Sequence, residues 1–413
     1  MRPDQQVRQG QQGTQMRRYE DTHPWITFDH RLDFSAKLWM QIGEVQSKCE
    51  HIAGTPLQPA VQDDLYAIYL SKGAHATTQI EGNTLSEDEV RLIVNRELKL
   101  PPSQEYLAQE VDNVLSAFEI VLRDVADAKP LTITPERIYQ INEAVLQGMD
   151  TQDHVTPGKI RTDSVTVGGG IYRGAPAEDC EFLVRKLCDW LAKQEQHAVD
   201  ADLEHRFALR LVSAILAHLY LAWIHPFGDG NGRTARMVEF QLLNLAGVPA
   251  IAAHLLSDHY NRTRTKYLEV LREASTRRPY SVEPFIQYAV QGLVDGMRTQ
   301  IDKIRTQHMF VTWHNFIYER FQHSTGDTAR RRKLVALSLL PGKWTPSAEI
   351  RHLTPEIAEA YAGLTAKTVS RDLNALQNLG LITRTRTGVA PAIDQLRSFI
   401  PLRANRTEQR AAR

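Results

Sequence analysis

Cysteine is scarce in this chain of 413 residues: there are three, Cys49, Cys180 and Cys188. They are scattered, Cys180 and Cys188 lack zinc-site spacing, and an odd number argues against a disulfide framework. The expectation is a reducing compartment, the cytoplasm. Net charge is missing too. Lys plus Arg number 49 and Asp plus Glu 49, a formal net charge of +0, so any nucleic-acid site has to be a local basic patch. No apolar run reaches the roughly 18 residues of a membrane helix, so no membrane partner is expected. The opening "MRPDQQVRQGQQGTQMRRYE" has no apolar core of a secretory signal. Its Gln, Gly and Arg content predicts disorder over residues 1–20. No internal repeat is visible. What remains is an ordinary globular composition, 42% hydrophobic and 24% charged, long enough for two or three domains.

Helical periodicity dominates. "LDFSAKLWMQIGEVQSKCEHIAG" predicts an amphipathic helix ending at Gly54, and "DDLYAIYLSKGAHATTQIEG" a second, stopped by Gly82. Ser86 with Glu89 three residues on is a capping box that opens a third. "SQEYLAQEVDNVLSAFEIVLRDV" and "TPERIYQINEAVLQG" continue the pattern. "DLEHRFALRLVSAILAHLYLAWI" is the longest and most apolar, with Phe207, Leu211, Ile215, His218 and Ala222 along one face. Such a helix belongs in the core of a bundle. "TARMVEFQLLNLAG" follows, ended by Gly247 and barred from continuing by Pro249. Between these, "SVTVGGGIYRG" (Ser164 to Gly174) predicts a small hairpin. A polar, basic joint, "HSTGDTARRRK", precedes a separate region at 330–403 with the order helix, helix, helix, hairpin. Residues 404–413 are expected to form a frayed tail.

The densest chemistry lies in "HPFGDGNGRTAR", His225 to Arg236. Gly230, Asn231 and Gly232 follow one helix and open the next. Successive backbone N–H groups there can point at one anion, and a helix N-terminus favours negative charge. Asp229 is a hard oxygen ligand, and one carboxylate plus substrate phosphates is a common way to hold Mg²⁺. Arg233 and Arg236, three apart, share a helix face and suit a di- or triphosphate. His225 can take a proton near neutral pH. Phe227 serves as an anchor in the core. Taken singly, each group has a bland role: Gly-Asn-Gly is a turn, two arginines a solvated face, a His before Pro a structural residue. Their conjunction points to a nucleoside triphosphate, Mg²⁺ and a base acting on a hydroxyl, with positioning and charge neutralisation as the catalysis. These residues alone do not say which phosphorus is attacked.

The stretch resembles the signature of Fic-domain proteins, HxFx(D/E)GNGRxxR, at every defining position. The resemblance extends over roughly residues 20 to 300. It implies a mostly α chain with a Fic-type helical bundle and a small β-hairpin flap; separately, the helix, helix, helix, hairpin order that follows resembles a C-terminal winged helix-turn-helix. The expected layout is an N-terminal helical region at 21–110 and a Fic core at 111–320, with the winged-helix-like region at 330–403. The implied activity is transfer of AMP from ATP to a Ser, Thr or Tyr hydroxyl of a target protein, and of the chain itself, with pyrophosphate leaving. His225 would deprotonate the hydroxyl, and Asp229 would hold Mg²⁺. The loop from Gly228 through Gly230 and Gly232, with Asn231, would orient the α-phosphate. Arg233 and Arg236 would bind the outer phosphates. A lysine replaces Gly232 in the related Doc kinases, so Gly232 favours nucleotidyl over phosphoryl transfer. Val167, Ile171 and Tyr172 would form a flap that clamps an extended target by strand addition. Tyr267, in "NRTRTKYLEVL", matches an aromatic of the adenine pocket; Leu268 and Ser275 depart from the family pattern there.

"TTQIEG" fits the family's inhibitory pattern (S/T)xxxE(G/N) through Thr77, Glu81 and Gly82, on a helix at about 64–82. A glutamate reaching Arg236 would stand where a γ-phosphate must bind, and breaking that pair would leave a charge for ATP to satisfy. Thr77, one turn earlier, would bond within the loop.

In the last region, Thr365 is placed to cap "AKTVSRDLNALQNLG", and Val369, Leu373, Leu376 and Leu379 form its buried stripe. Lys367, Ser370, Arg371 and Asn374 lie off that stripe and suit phosphates and base edges, with Arg384 and Arg386 on the wing. The same unit can alternatively select the protein target or join two copies of the chain as a homodimer. Two further functions compete with AMP transfer. One is a DNA-binding regulator using the Fic domain as a nucleotide sensor; the other is removal of AMP from a modified protein. UTP or GTP in place of ATP also stays open.

Overall fold

The computed structural model describes residues 17–29, 34–56, 59–127, 132–167 and 172–397. The expected N-terminal disorder, the C-terminal tail and the flap residue Ile171 fall wholly or mostly outside them. The chain divides into two compact units, up to Ile301 and from Asp302. The division falls inside the 38-residue helix Glu283–Arg320, earlier than the polar joint expected after 320. That joint is itself largely helical, because helix Asp327–Ser338 takes up most of it. The helical region at 21–110 and the expected core at 111–320 do not separate, since both lie mainly in the first unit.

The first unit is helical with one short hairpin. Its centre is helix Leu203–Ile224, opened by Asp202, whose carboxylate accepts the His205 N–H at 2.9 Å. Phe207, Leu211, Ile215 and His218 are buried as expected. The helix is apolar on nearly every side, and by length and composition it would pass for a membrane span, contrary to the run length counted above. Within the fold 83% of that apolar window is buried, so its hydrophobicity is that of a core helix. Helices Ala177–Asp200 and Asn231–Leu245 pack along it.

A second layer carries helix Pro59–Glu81, packed against Glu105–Ala126, Glu87–Val94, Leu255–Arg262 and Asn231–Leu245. Gly82 ends it with φ +110, a left-handed value that costs glycine little. The Asn83 N–H then returns to the Thr78 carbonyl at 3.1 Å. Ser86 and Glu89 form the expected capping box. The hairpin pairs Thr166–Val167 with Tyr172–Arg173, Val167 opposite Tyr172.

The second unit orders its helices as Asp327–Ser338, a 3-10 turn at Ile350–His352, Pro355–Ala360 and Ala366–Asn378, then an antiparallel hairpin Ile382–Arg384/Val389–Pro391. Trp313, Ile317, Val335, Ile357, Leu373 and Leu376 form its core. Asp372 is buried and accepts Arg331 and Arg332, each at 2.7 Å, and the Tyr361 hydroxyl at 3.1 Å. Thr365 occupies the N-cap position, but its side chain makes no capping bond.

Candidate active site

The central helix stops at Ile224 because His225 turns left-handed, φ 51 and ψ 59, its N–H donating to the Leu221 carbonyl at 2.9 Å. Few non-glycine residues adopt this region. The chain then folds over its anchor, Phe227, which is 1% exposed. Asn231 locks the loop from the other side. Its Oδ1 accepts the Phe227 N–H at 2.9 Å and its Nδ2 donates to the Phe227 carbonyl at 2.8 Å. One donor and one acceptor of that amide are used inside the loop, which fixes the orientation of the side chain and leaves its second N–H for a ligand. Gly230 sits at φ +72, and a Cβ there would stand 3.0 Å from Asn142 Nδ2. Asn142, buried on helix Pro135–Val145, donates to the Asp229 carbonyl at 3.0 Å and to Thr234 at 3.2 Å. Gly228 is equally tight, since a Cβ would meet Val155 at 2.8 Å.

The next helix starts at Asn231, as the Gly230–Gly232 opening predicts. It has no side-chain cap and no acidic residue in its first turn. Its leading N–H groups are therefore available to an anion. Asp229 stands beside them with its carboxylate 54% exposed, accepting the Gly230 N–H at 2.5 Å. Among the described residues no group of three or more His, Cys, Asp or Glu side chains could hold a metal ion. An exposed single carboxylate next to a phosphate cradle is nevertheless the donor set that a phosphate-bound Mg²⁺ uses.

The two arginines separate. Arg233 is buried, its Nη1 on Glu110 at 2.7 Å and its Nη2 on Asp229 at 3.4 Å. Asn83, just past the end of the long helix, donates to the other Glu110 oxygen at 2.9 Å. Arg233 thus already has a carboxylate partner, which the expectation of a free phosphate ligand did not include. Arg236 meets Thr77 and Glu81, two residues of the expected inhibitory pattern. Its Nε donates to Thr77 Oγ1 at 2.7 Å, and its Nη2 to the Thr77 carbonyl at 2.9 Å and to Glu81 Oε1 at 2.5 Å. Partial loss of water disfavours ionisation of Glu81, but Arg236, with Arg233 behind it, outweighs this and holds the carboxyl below its ordinary value. Gly232 leaves the room: a Cβ there would overlap the Glu81 carboxylate.

The His225 side chain is partly buried, and burial pushes its imidazole down to about 4 despite the opposing pull of the Ala222 carbonyl and Glu81. The ring is therefore neutral, able to accept a proton, across the physiological range. Of the described flap residues, Val167 lies on the hairpin, while Tyr172 turns inward: its hydroxyl donates to the Trp223 carbonyl at 2.8 Å. Tyr172 thus holds the hairpin to the central helix. Tyr267 is also placed differently from the expected adenine contact. It is 4% exposed, its ring stacks on Tyr260 at 4.8 Å, and its hydroxyl meets His218 Nε2 at 3.0 Å. His218 and Tyr260 both reach Glu239, at 3.0 and 2.9 Å. This network buries the tyrosine, and its hydroxyl also bonds to Arg236, so it supports the site's arginine from behind.

These elements define the class. Residues 132–243 match the Fic/DOC family, and the chain carries a Fic/DOC domain. Among similar curated proteins is the protein adenylyltransferase fic-1 of Caenorhabditis elegans, 25% identical over 278 residues, 65% of this chain and 49% of that one. The protein adenylyltransferase Fic of Nematostella vectensis is 30% identical over 216 residues, 51% of this chain and 44% of that one. The chain thus spans about half the length of these relatives or less. A Fic family protein from Desulfovibrio desulfuricans G20 has a similar fold, TM-score 0.53 at 19% identity, covering 87% of this chain and 94% of that one.

Proposed function

We propose that the chain transfers AMP from ATP to a Ser, Thr or Tyr hydroxyl of a target protein and of itself, and that Glu81 holds this activity in check. The observation that carries it is the Glu81–Arg236 pair at 2.5 Å, formed on the helix whose first turn is a phosphate cradle with His225 at its mouth. Supporting it, the relatives above are named protein adenylyltransferases. In the reaction His225 accepts the hydroxyl proton as the oxygen attacks the α-phosphorus. The bond from that phosphorus to the bridging oxygen breaks, and pyrophosphate leaves. The leading N–H groups of helix Asn231–Leu245 stabilise the charge that develops. Asp229 would hold Mg²⁺, which supplies charge neutralisation to the phosphates. Arg236 would bind the outer phosphate once Glu81 leaves it. Incubation with α-labelled ATP tests this: wild type dim, Glu81→Gly bright, and Glu81→Gly with His225→Ala dark. Bright labelling of the double variant, or none in the single one, contradicts the proposal.

A second reading concerns the C-terminal unit, which we propose to be a winged helix-turn-helix that contacts DNA. Lys367, Ser370, Arg371 and Asn374 are all exposed, with Arg386, and Arg384 reaches Asn374 at 2.5 Å. Such a face suits phosphates and base edges. Binding to duplex DNA that weakens steeply with salt supports it; no binding at low salt would leave target docking or self-association as its role.

A further inference from the structure

Arg161 is 6% exposed, and burying a guanidinium is costly unless its donors are satisfied. All three of its nitrogens donate to main-chain carbonyls. Nε reaches the His225 carbonyl at 2.7 Å, Nη1 the Asp163 carbonyl at 2.5 Å, and Nη2 the Ala175 carbonyl. Its own backbone N–H donates to the Pro226 carbonyl at 3.0 Å. Asp163 leads into the hairpin, Ala175 leads out of it, and His225 is the left-handed turn after the central helix. The outgoing leg lies directly against that turn. A Cβ at Gly174 would stand 2.9 Å from His225 Cβ and 3.0 Å from Arg161 Nη2. The Ala175 N–H closes the join on the Ile224 carbonyl at 3.2 Å. A planar fork with donors in fixed directions ties its own segment to the two others rigidly; the three donors of an ammonium leave one point on a flexible stem and match these spread carbonyls poorly.

We propose that Arg161 is a positioning residue that ties His225 to both legs of the hairpin, so that the base and the strand that docks the target keep one mutual geometry. This rests on the AMP-transfer reading above. Among the described residues the Arg161 side chain donates to His225, Asp163 and Ala175 and not to Asp229 or helix Asn231–Leu245, so its loss acts on transfer rather than on ATP binding. The charges facing His225 are Arg161, which favours the neutral ring, and Glu81 and Asp229, which oppose it.

The test uses the full chain carrying Glu81→Gly, with Arg161→Lys and Arg161→Met added singly. Calorimetry reads the ATP Kd, and α-labelled ATP reads transfer to the chain itself. Misplacing a reacting group by about 1 Å costs on the order of 10²-fold in rate. Both variants are therefore expected to lose transfer on that scale while the ATP Kd stays within about threefold. Arg161→Met also removes a positive charge, so the His225 titration followed by NMR moves to higher pH; Arg161→Lys leaves it nearer the parent. Transfer within about threefold of the parent, or ATP affinity falling in step with transfer, overturns the proposal. If Glu81→Gly itself transfers nothing, the function fails instead, and the NMR titration still decides: an unmoved His225 in Arg161→Met sinks the inference. Should Arg161→Met not fold, the Lys variant alone carries the transfer and affinity test.

Discussion

Removing Glu81 should cost stability and increase ATP affinity by related amounts. Arg236 is 2% exposed and Glu81 34%. Stripping one partner from a buried pair costs about 3–5 kcal/mol. A third of the Glu81 side chain meets water, and Arg236 keeps its two bonds to Thr77, so the figure drops to about 2–3 kcal/mol. An incoming phosphate oxygen restores the lost partner. At about 1.4 kcal/mol per tenfold, ATP affinity then rises by at most about 30- to 150-fold. Glu81→Gly also loses a fraction of the interior helix penalty of about 1 kcal/mol, since Glu81 is the last residue of its helix, which lowers stability without touching affinity. Glu81→Gln separates the two, since it keeps the helix and removes only the charge, and it should tighten ATP binding less than Gly does. Calorimetric ATP titration and denaturant unfolding of wild type and both variants read these quantities. Should both folded variants bind ATP within about threefold of wild type, the pair does not occupy the phosphate site and the reasoning fails.

Three further outcomes follow from the geometry. Gly232→Ala should destabilise the wild type, because its Cβ overlaps Glu81, and destabilise the Glu81→Gly variant much less, where only Arg236 Nη1 at 3.1 Å stays close; equal effects in both, by unfolding, would place Glu81 elsewhere. Tyr267→Phe should cost about 1–3 kcal/mol by leaving His218 unsatisfied without altering the preference for ATP over GTP; an altered preference would return Tyr267 to the base pocket. Acid should destabilise the fold through His225, held down to about 4, and His254, held down to about 3 by burial. The unfolded chain binds more protons on these residues below its ordinary value of about 6.5, so stability falls as pH drops from there toward those values. Unfolding curves across this range check it, and His225→Ala should flatten the slope.

Much of this was legible because it is local. A capping box, a glycine after a helix and a wholly apolar helix each declare themselves within a few residues, as Ser86–Glu89, Gly82 and Leu203–Ile224 show. Glu81 was legible for a different reason: a family pattern links it to Arg236, 155 positions away. The residues that escaped are those whose meaning lies in a distant partner. Arg161 stands in a plain "KIRTD", and nothing there announces three carbonyls at 163, 175 and 225. Glu110 and Asn142 are polar residues on amphipathic helices, where a solvated face is the default. Tyr267 misled in the opposite direction, because an aromatic beside the site can point inward as well as outward. The partners that draw it inward, His218, Glu239 and Tyr260, are up to 49 residues away. Helix Ala177–Asp200, also unforeseen, carries a mixed polar sequence whose apolar stripe is clear only against the central helix.

The central claim is that the cradle presents the α-phosphorus of ATP to a hydroxyl once Glu81 is gone. The most direct measurement gives Glu81→Gly ATP labelled in parallel at the α- and at the γ-phosphorus, with Mg²⁺, and follows label into protein. Incorporation from the α-label alone, abolished by His225→Ala, is the predicted result. Incorporation from the γ-label would make the reaction phosphoryl transfer and contradict the account.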